Sequence, residues 1–147
     1  MFCSEYEHTL DTKGRVFIPA RHREELGETV FIGRGMDGQL NVYPKAVWED
    51  MAGRLAQANQ ARPTIRNASR FVFSATEYEL DRQGRVLISA SLRRFADLGS
   101  DVVILGNNDH VEIWSRERWQ ETCDRVLAQG RDSSDDTTKL SELALSL

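Results

Sequence analysis

One six-residue turn occurs twice in this chain, as Leu10-Asp11-Thr12-Lys13-Gly14-Arg15 and again as Leu80-Asp81-Arg82-Gln83-Gly84-Arg85. The surroundings repeat with it. Glu7-His8-Thr9-Leu10-Asp11 answers Glu77-Tyr78-Glu79-Leu80-Asp81, and Gly14-Arg15-Val16-Phe17-Ile18 answers Gly84-Arg85-Val86-Leu87-Ile88. Leu26-Gly27 aligns with Leu98-Gly99, and Val30-Phe31-Ile32-Gly33 with Val103-Ile104-Leu105-Gly106. Further on, Leu40-Asn41-Val42-Tyr43 aligns with Val111-Glu112-Ile113-Trp114, and Trp48 with Trp119. Such self-similarity marks a duplicated unit. A unit of roughly 70 residues buries a poor core alone, so two copies packed into one pseudo-symmetric body are expected.

Each unit reads as β-hairpin, short helix, β-hairpin and longer helix, giving an α+β chain that is mainly β. The first strand ends at Leu10 or Leu80, and Phe71-Val72-Phe73 is expected to open the second copy. In the turn, Asp11 and Asp81 are placed to accept from backbone N–H groups two residues on. Gly14 and Gly84 supply a positive φ at no steric cost. The next strand alternates, with Val16 and Ile18 on one face and Arg15 and Phe17 on the other. A short helix, Ala20 to Leu26, stops at Gly27; its partner runs from about Ser91 to Leu98 and stops at Gly99. Thr29 to Ile32 with Leu40 to Tyr43, and Val102 to Leu105 with Val111 to Trp114, form the second hairpins. Pro44 suits a first helical position and Ser115 an N-cap for the closing helices. Their stripes, Trp48, Met51 and Leu55 and then Trp119, Cys123 and Val126, are expected in the core. The boundaries are 1–57 for the first module, 58–70 for a connector, 71–130 for the second module and 131–147 for an acidic tail.

The net charge of −4 on 147 residues argues against a polyanion partner only until its distribution is seen. Residues 132–147 carry Asp132, Asp135, Asp136 and Glu142 against Lys139. In the body, Thr12 to Arg23 holds Lys13, Arg15, Arg21 and Arg23 without an acid. Arg82 to Arg94 holds Arg82, Arg85, Arg93 and Arg94, again without one. The same local excess beside the same turn, twice, points to a polyanion. Arg54, Arg62, Arg66 and Arg70 form either a further basic surface or a solvated linker.

Other classes are poorly supported. Cys3 and Cys123 have neither disulfide nor metal spacing, and His8, His22 and His110 stand far apart, so no metal or cofactor is expected. Catalysis wants a nucleophile with its base or paired carboxylates in a pocket, and no such set recurs. No apolar run approaches the roughly 18 residues of a membrane span, and the first residues lack signal-peptide character, so a cytoplasmic location is expected.

With Met1-Phe2 at the start, EHTLDTKGRVFIPARHREEL in the first copy and LDRQGRVLISASLRR in the second, the chain resembles the MraZ family over about residues 1 to 130. That resemblance implies a bacterial DNA-binding transcriptional regulator built from two tandem AbrB-like swapped-hairpin modules. It further implies a ring-shaped homo-oligomer, associated with the nucleoid. Its operator would be short G-rich direct repeats in the promoter of its own division and cell-wall gene cluster. The family signature falls on Asp11, Lys13, Gly14 and Arg15, and on Asp81, Gly84 and Arg85. Gln83 departs from Lys13, Ser89 departs from Pro19, and Cys3 follows Met-Phe in place of a basic or bulky residue.

A β-ribbon fits the major groove, and an arginine near its tip donates to both O6 and N7 of guanine. Arg15 and Arg85 are the candidate base readers. Lys13, Arg21, Arg23, Arg82, Arg93 and Arg94 are the candidate phosphate neutralisers. Asp11 and Asp81 either cap the turn or pair with the guanidinium, and a merely structural Asp11–Arg15 ion pair stays open. The competing function is an oligomeric interaction protein whose basic turns bind an acidic partner.

Overall fold

The computed structural model describes residues 1–132. The expected tail from 131 therefore lies, from residue 133 on, outside the described residues. Eight strands and five helices follow in order: β1 (Glu5–Thr9), β2 (Arg15–Phe17), α1 (Ala20–Leu26), β3 (Thr29–Arg34), β4 (Leu40–Pro44), α2 (Lys45–Gln57), α3 (Pro63–Phe73), β5 (Thr76–Glu79), β6 (Arg85–Leu87), α4 (Ala90–Phe95), β7 (Asp101–Asn107), β8 (His110–Ser115) and α5 (Arg116–Asp132). Residues Met1–Ser115 form one unit, and α5 belongs to a second. None of the described helices is long and apolar enough to cross a membrane.

The two halves exchange strands. A six-stranded sheet runs β1-β7-β8-β4-β3-β5, and a two-stranded ribbon joins β2 to β6. Strand β1 thus pairs with β7 of the other half, and β5 pairs with β3. The first strands of each copy do not form a local hairpin ladder with the second; a single bridge, Leu10 to Val16, joins β1 and β2 beside the turn. This is the swapped arrangement that the family resemblance implies.

Two pairings locate the pseudo-twofold axis. In the ribbon, Val16 faces its counterpart Val86, while Arg15 faces Leu87 and Phe17 faces Arg85. In the sheet, Asn41 faces Glu112, with Leu40 opposite Ile113 and Val42 opposite Val111. The core lies between these layers. Val16, Ile18, Val86 and Ile88 from the ribbon side meet Val30, Ile32, Leu40, Val42, Val102, Ile104, Val111 and Ile113 from the sheet in one cluster. Alternation explains the segregation, since period-two strands send every second side chain inward.

Three expectations need correction. His8 faces Val102 and Tyr78 faces Val30, so Val30 corresponds to Val102 and not to Val103. A slip of one residue would put the wrong set inward. The second short helix ends at Phe95, before Leu98, and Asp97 rather than Gly99 takes a positive φ (52°), as Gly27 does in the first copy (78°). A short polar side chain tolerates that region, and two extra residues precede β7. Finally, α3 begins within the segment read as a connector and runs on into the start of the second module. Phe71, Val72 and Phe73 form its last turn and do not open a strand. Pro63 stands in the first turn, and Ile65, Ala68 and Val72 recur at helical spacing.

The apolar stripes of the longer helices are half-buried rather than core. Trp48 stacks on Phe31 with centroids 4.0 Å apart and donates its indole N–H to the Val72 carbonyl at 3.0 Å. In α5, Trp119 and Cys123 are half-buried and Val126 is exposed.

His22 shows what unequal halves cost. It is fully buried at the position where α4 has Leu92, its ring set edge-on to Phe2 and Tyr6, and its Nε2 meets no hydrogen-bond partner among the described residues. Burial, reinforced by Arg21, holds its pKa below the ordinary 6.5. The unfolded chain then takes up the proton first, so this group's contribution to stability falls as pH drops below about 6.5. His110 runs the other way. Burial works to lower its pKa, but hydrogen bonds to Glu112 and Asp109 outweigh that, so its contribution fades as pH rises through the raised value. We expect His22→Leu to stabilise the fold by about 1 to 3 kcal/mol, because the orphaned polar atom disappears. It should also remove part of the stability loss between pH 6.5 and 5. Denaturant titrations of both proteins at the two pH values check this; equal stabilities would refute it.

Candidate nucleic-acid interface

Both repeated turns close in the same way. Asp11 Oδ1 accepts from the backbone N–H of Lys13 and of Arg15, each at 2.9 Å, while Oδ2 accepts from Arg15 Nε at 2.7 Å. Asp81 Oδ1 accepts from Gln83 and Arg85, each at 2.9 Å, and its Oδ2 from Arg85 Nε at 2.9 Å. Gly14 and Gly84 donate to the Asp11 and Asp81 carbonyls at 3.0 Å and hold φ of 87° and 80°. The two roles considered for the aspartates are therefore both filled, one oxygen for each. The backbone hydrogen bond from Arg15 or Arg85 leads in holding each aspartate's pKa below its ordinary value. Both turns accordingly keep their charge-assisted bonds at neutral pH and lose them only as pH falls through those lowered values.

Each turn also locks onto the opposite half. Ile18 donates its N–H to the Gly84 carbonyl and Ile88 donates to the Gly14 carbonyl, both at 2.9 Å. A Cβ on Gly14 would lie 2.8 Å from the Arg93 guanidinium carbon, and one on Gly84 2.6 Å from that of Arg23. Arg23 further donates Nε to the Ile18 carbonyl at 2.8 Å and lies over the Phe17 ring at 4.6 Å. Arg23 and Arg93 are thus half-buried beside the opposite turn, where they shape the site. Lys13, Arg21, Arg82 and Arg94 are exposed. Ser89, standing where the first copy has Pro19, caps α4 by accepting from Leu92 N–H at 3.3 Å, whereas α1 has no side-chain cap.

The candidate base readers Arg15 and Arg85 sit on the ribbon's outer face. Val16 and Val86 point inward and are buried, leaving Arg15, Phe17, Arg85 and Leu87 on the other side. The arginine side chains keep 31% and 29% of their surface exposed. Because Asp11 and Asp81 engage only Nε, the two terminal amino groups of each guanidinium have no partner among the described residues. That end is the fork that matches the edge of guanine. Phe17 and Leu87 escaped the sequence reading of the site, although their place two residues after Arg15 and Arg85 puts them on its face. His8 was also missed; its ring stacks on Phe17 with centroids 6.2 Å apart. The described residues hold no cluster of His, Cys, Asp or Glu fit for a metal ion.

Comparison with known proteins gives the same repeat. The chain matches the MraZ protein family, described as antitoxin-like, over residues 1–71 and again over 71–141. It is 48% identical to a Moorella thermoacetica protein named transcriptional regulator MraZ, with 97% of this chain and 95% of the relative aligned. A Roseiflexus castenholzii protein of the same name is 46% identical, over 97% and 99% of the two chains. One from Heliobacterium modesticaldum is 50% identical, over 82% and 85%.

Proposed function

The chain belongs to the MraZ family, and on that premise we propose that it is a sequence-specific DNA-binding transcriptional regulator and not an enzyme. The observation that carries the reading is the pair of dyad-related arginines, each fixed through Nε and open at its terminal amino groups. Arg15 and Arg85 read guanine from the major groove. Lys13, Arg21, Arg82 and Arg94 neutralise neighbouring phosphates, which positions the ribbon without specifying sequence. Arg23 and Arg93 hold the two turns in place. We further assign it G-rich direct repeats in the promoter of its own division and cell-wall gene cluster, in the cytoplasm at the nucleoid. One ribbon makes few contacts, so a ring-shaped homo-oligomer placing several ribbons on successive boxes gains affinity through effective concentration.

The test is fluorescence anisotropy with a duplex of short G-rich direct repeats and a random duplex of equal length, across a salt series. Tighter binding to the repeats is expected, with log affinity falling by about 0.9 per log salt for each phosphate neutralised. Equal binding to both duplexes, or a flat salt titration, would return the basic turns to an acidic protein partner.

A further inference from the structure

The same ribbon carries two apolar side chains that the guanine-reading arginines do not account for. Phe17 and Leu87 are 38% and 55% exposed, although both lie in strands whose alternate residues are fully buried. They occupy dyad-related positions, and the register sets Phe17 directly opposite Arg85 and Leu87 directly opposite Arg15. Residues so paired bring their Cβ atoms within about 5.5 Å. Each arginine is therefore flanked across the ribbon by an apolar group on the same face. Phe17 is held in place, with the Arg23 guanidinium 4.6 Å from its ring centre and the His8 ring stacked 6.2 Å away. Leu87 is the more exposed of the two.

Resting on the DNA-reading role above, we propose that Phe17 and Leu87 determine specificity by contacting the C5-methyl groups of thymines next to the guanines read by Arg85 and Arg15. In the major groove thymine alone among the four bases presents a methyl group, and apolar side chains are the ones that distinguish it. Base pairs neighbouring a guanine lie within reach of a side chain directly across a two-stranded ribbon. The guanidinium then supplies polar recognition and the opposite side chain apolar recognition, so each half reads a guanine with an adjoining thymine. The preorganised Phe17 gives the stronger discrimination, and Leu87 the weaker.

The experiment uses the full chain and the duplex immediately upstream of its own gene, synthesised once with thymine and once with uracil throughout. Affinity of the unaltered protein should fall about fourfold for each thymine methyl taken away from Phe17 or Leu87, the value of one buried methylene-sized group. Phe17→Ala should bind the thymine duplex less tightly and lose most of the difference between duplexes, and Leu87→Ala should lose a smaller part. Equal affinity of the unaltered protein for both duplexes overturns the proposal without needing any variant to fold. Variants that keep the full difference overturn it as well. Arg15→Ala separates thymine reading from the DNA reading on which it rests. Loss of its binding alongside methyl-indifferent unaltered protein refutes thymine reading alone, whereas unaltered binding by Arg15→Ala refutes DNA reading by the turn and thymine reading with it.

Discussion

Replacing Arg15 by Ala should abolish sequence-specific DNA binding and leave the fold intact. The two halves of that expectation rest on different atoms. Asp11 Oδ1 holds the turn through the backbone N–H groups of Lys13 and Arg15, and the substitution touches neither. The backbone bond from Asp11 N–H to the Arg15 carbonyl at 2.9 Å also survives. Only the Nε bond to Oδ2 disappears, between side chains that are each about one third exposed, where ion pairs add little to stability. What is lost is the bidentate donor, about 1 to 3 kcal/mol of discrimination per guanine, compounded wherever several ribbons bind together. Arg85→Ala should act in the same direction but less, because Gln83 leaves its turn one cation poorer than Lys13 leaves the first. A gel shift at fixed salt, with circular-dichroism melts of each variant, checks both statements. Retention of specific binding by Arg15→Ala removes this residue from the site.

Residues 1–57 expressed alone should not fold as a monomer. Every strand of the first module has a ladder partner in the second half, β1 on β7, β2 on β6, β3 on β5 and β4 on β8, and only β3 and β4 also pair with each other. Cutting there exposes Val16 and Ile18, which are completely buried in the whole chain against a shared core that includes Val86 and Ile88. Uncovering an aliphatic side chain costs about 1.5 to 3 kcal/mol, and a handful of these exhausts the roughly 5 to 15 kcal/mol that holds a typical domain. Any folded material should be a dimer in which a second copy supplies the missing strands. Analytical ultracentrifugation with far-UV circular dichroism over a concentration series reads this directly. A monomer with a cooperative melt would contradict the exchanged topology.

The turns were legible in the residues because their chemistry is local. An aspartate two and four residues before the N–H groups that it accepts from, and a glycine where φ must be positive, act over five positions. The alternation of Arg15, Val16, Phe17 and Ile18 likewise foretold which side chains face inward. Strand exchange was not legible in this way. A strand-turn-strand pattern is the same whether its strands pair with each other or with a distant copy, and only the family resemblance pointed to the swap. The one-residue misalignment of Val30 arose because Val102 and Val103 are both apolar and β-branched, so only pairing with His8 decides between them. Phe71 to Phe73 looked like a strand because aromatic and β-branched residues favour one, yet Pro63 and the spacing of Ile65, Ala68 and Val72 carry a helix through them. Arg23 and Arg93 had the composition of surface cations. Their packing against the opposite turn glycines joins residues some 60 to 80 positions apart, which charge counting does not register.

On the proposed function, the two dyad-related arginine turns read guanine-containing boxes in duplex DNA. A footprint of the full chain on the DNA upstream of its own gene, at fixed salt, tests it most directly, with the Arg15→Ala, Arg85→Ala double variant run alongside. Short, regularly spaced protected boxes containing guanine are expected for the unaltered protein and none for the variant. Uniform or absent protection with the unaltered protein, or the same protected boxes with the variant, would contradict it.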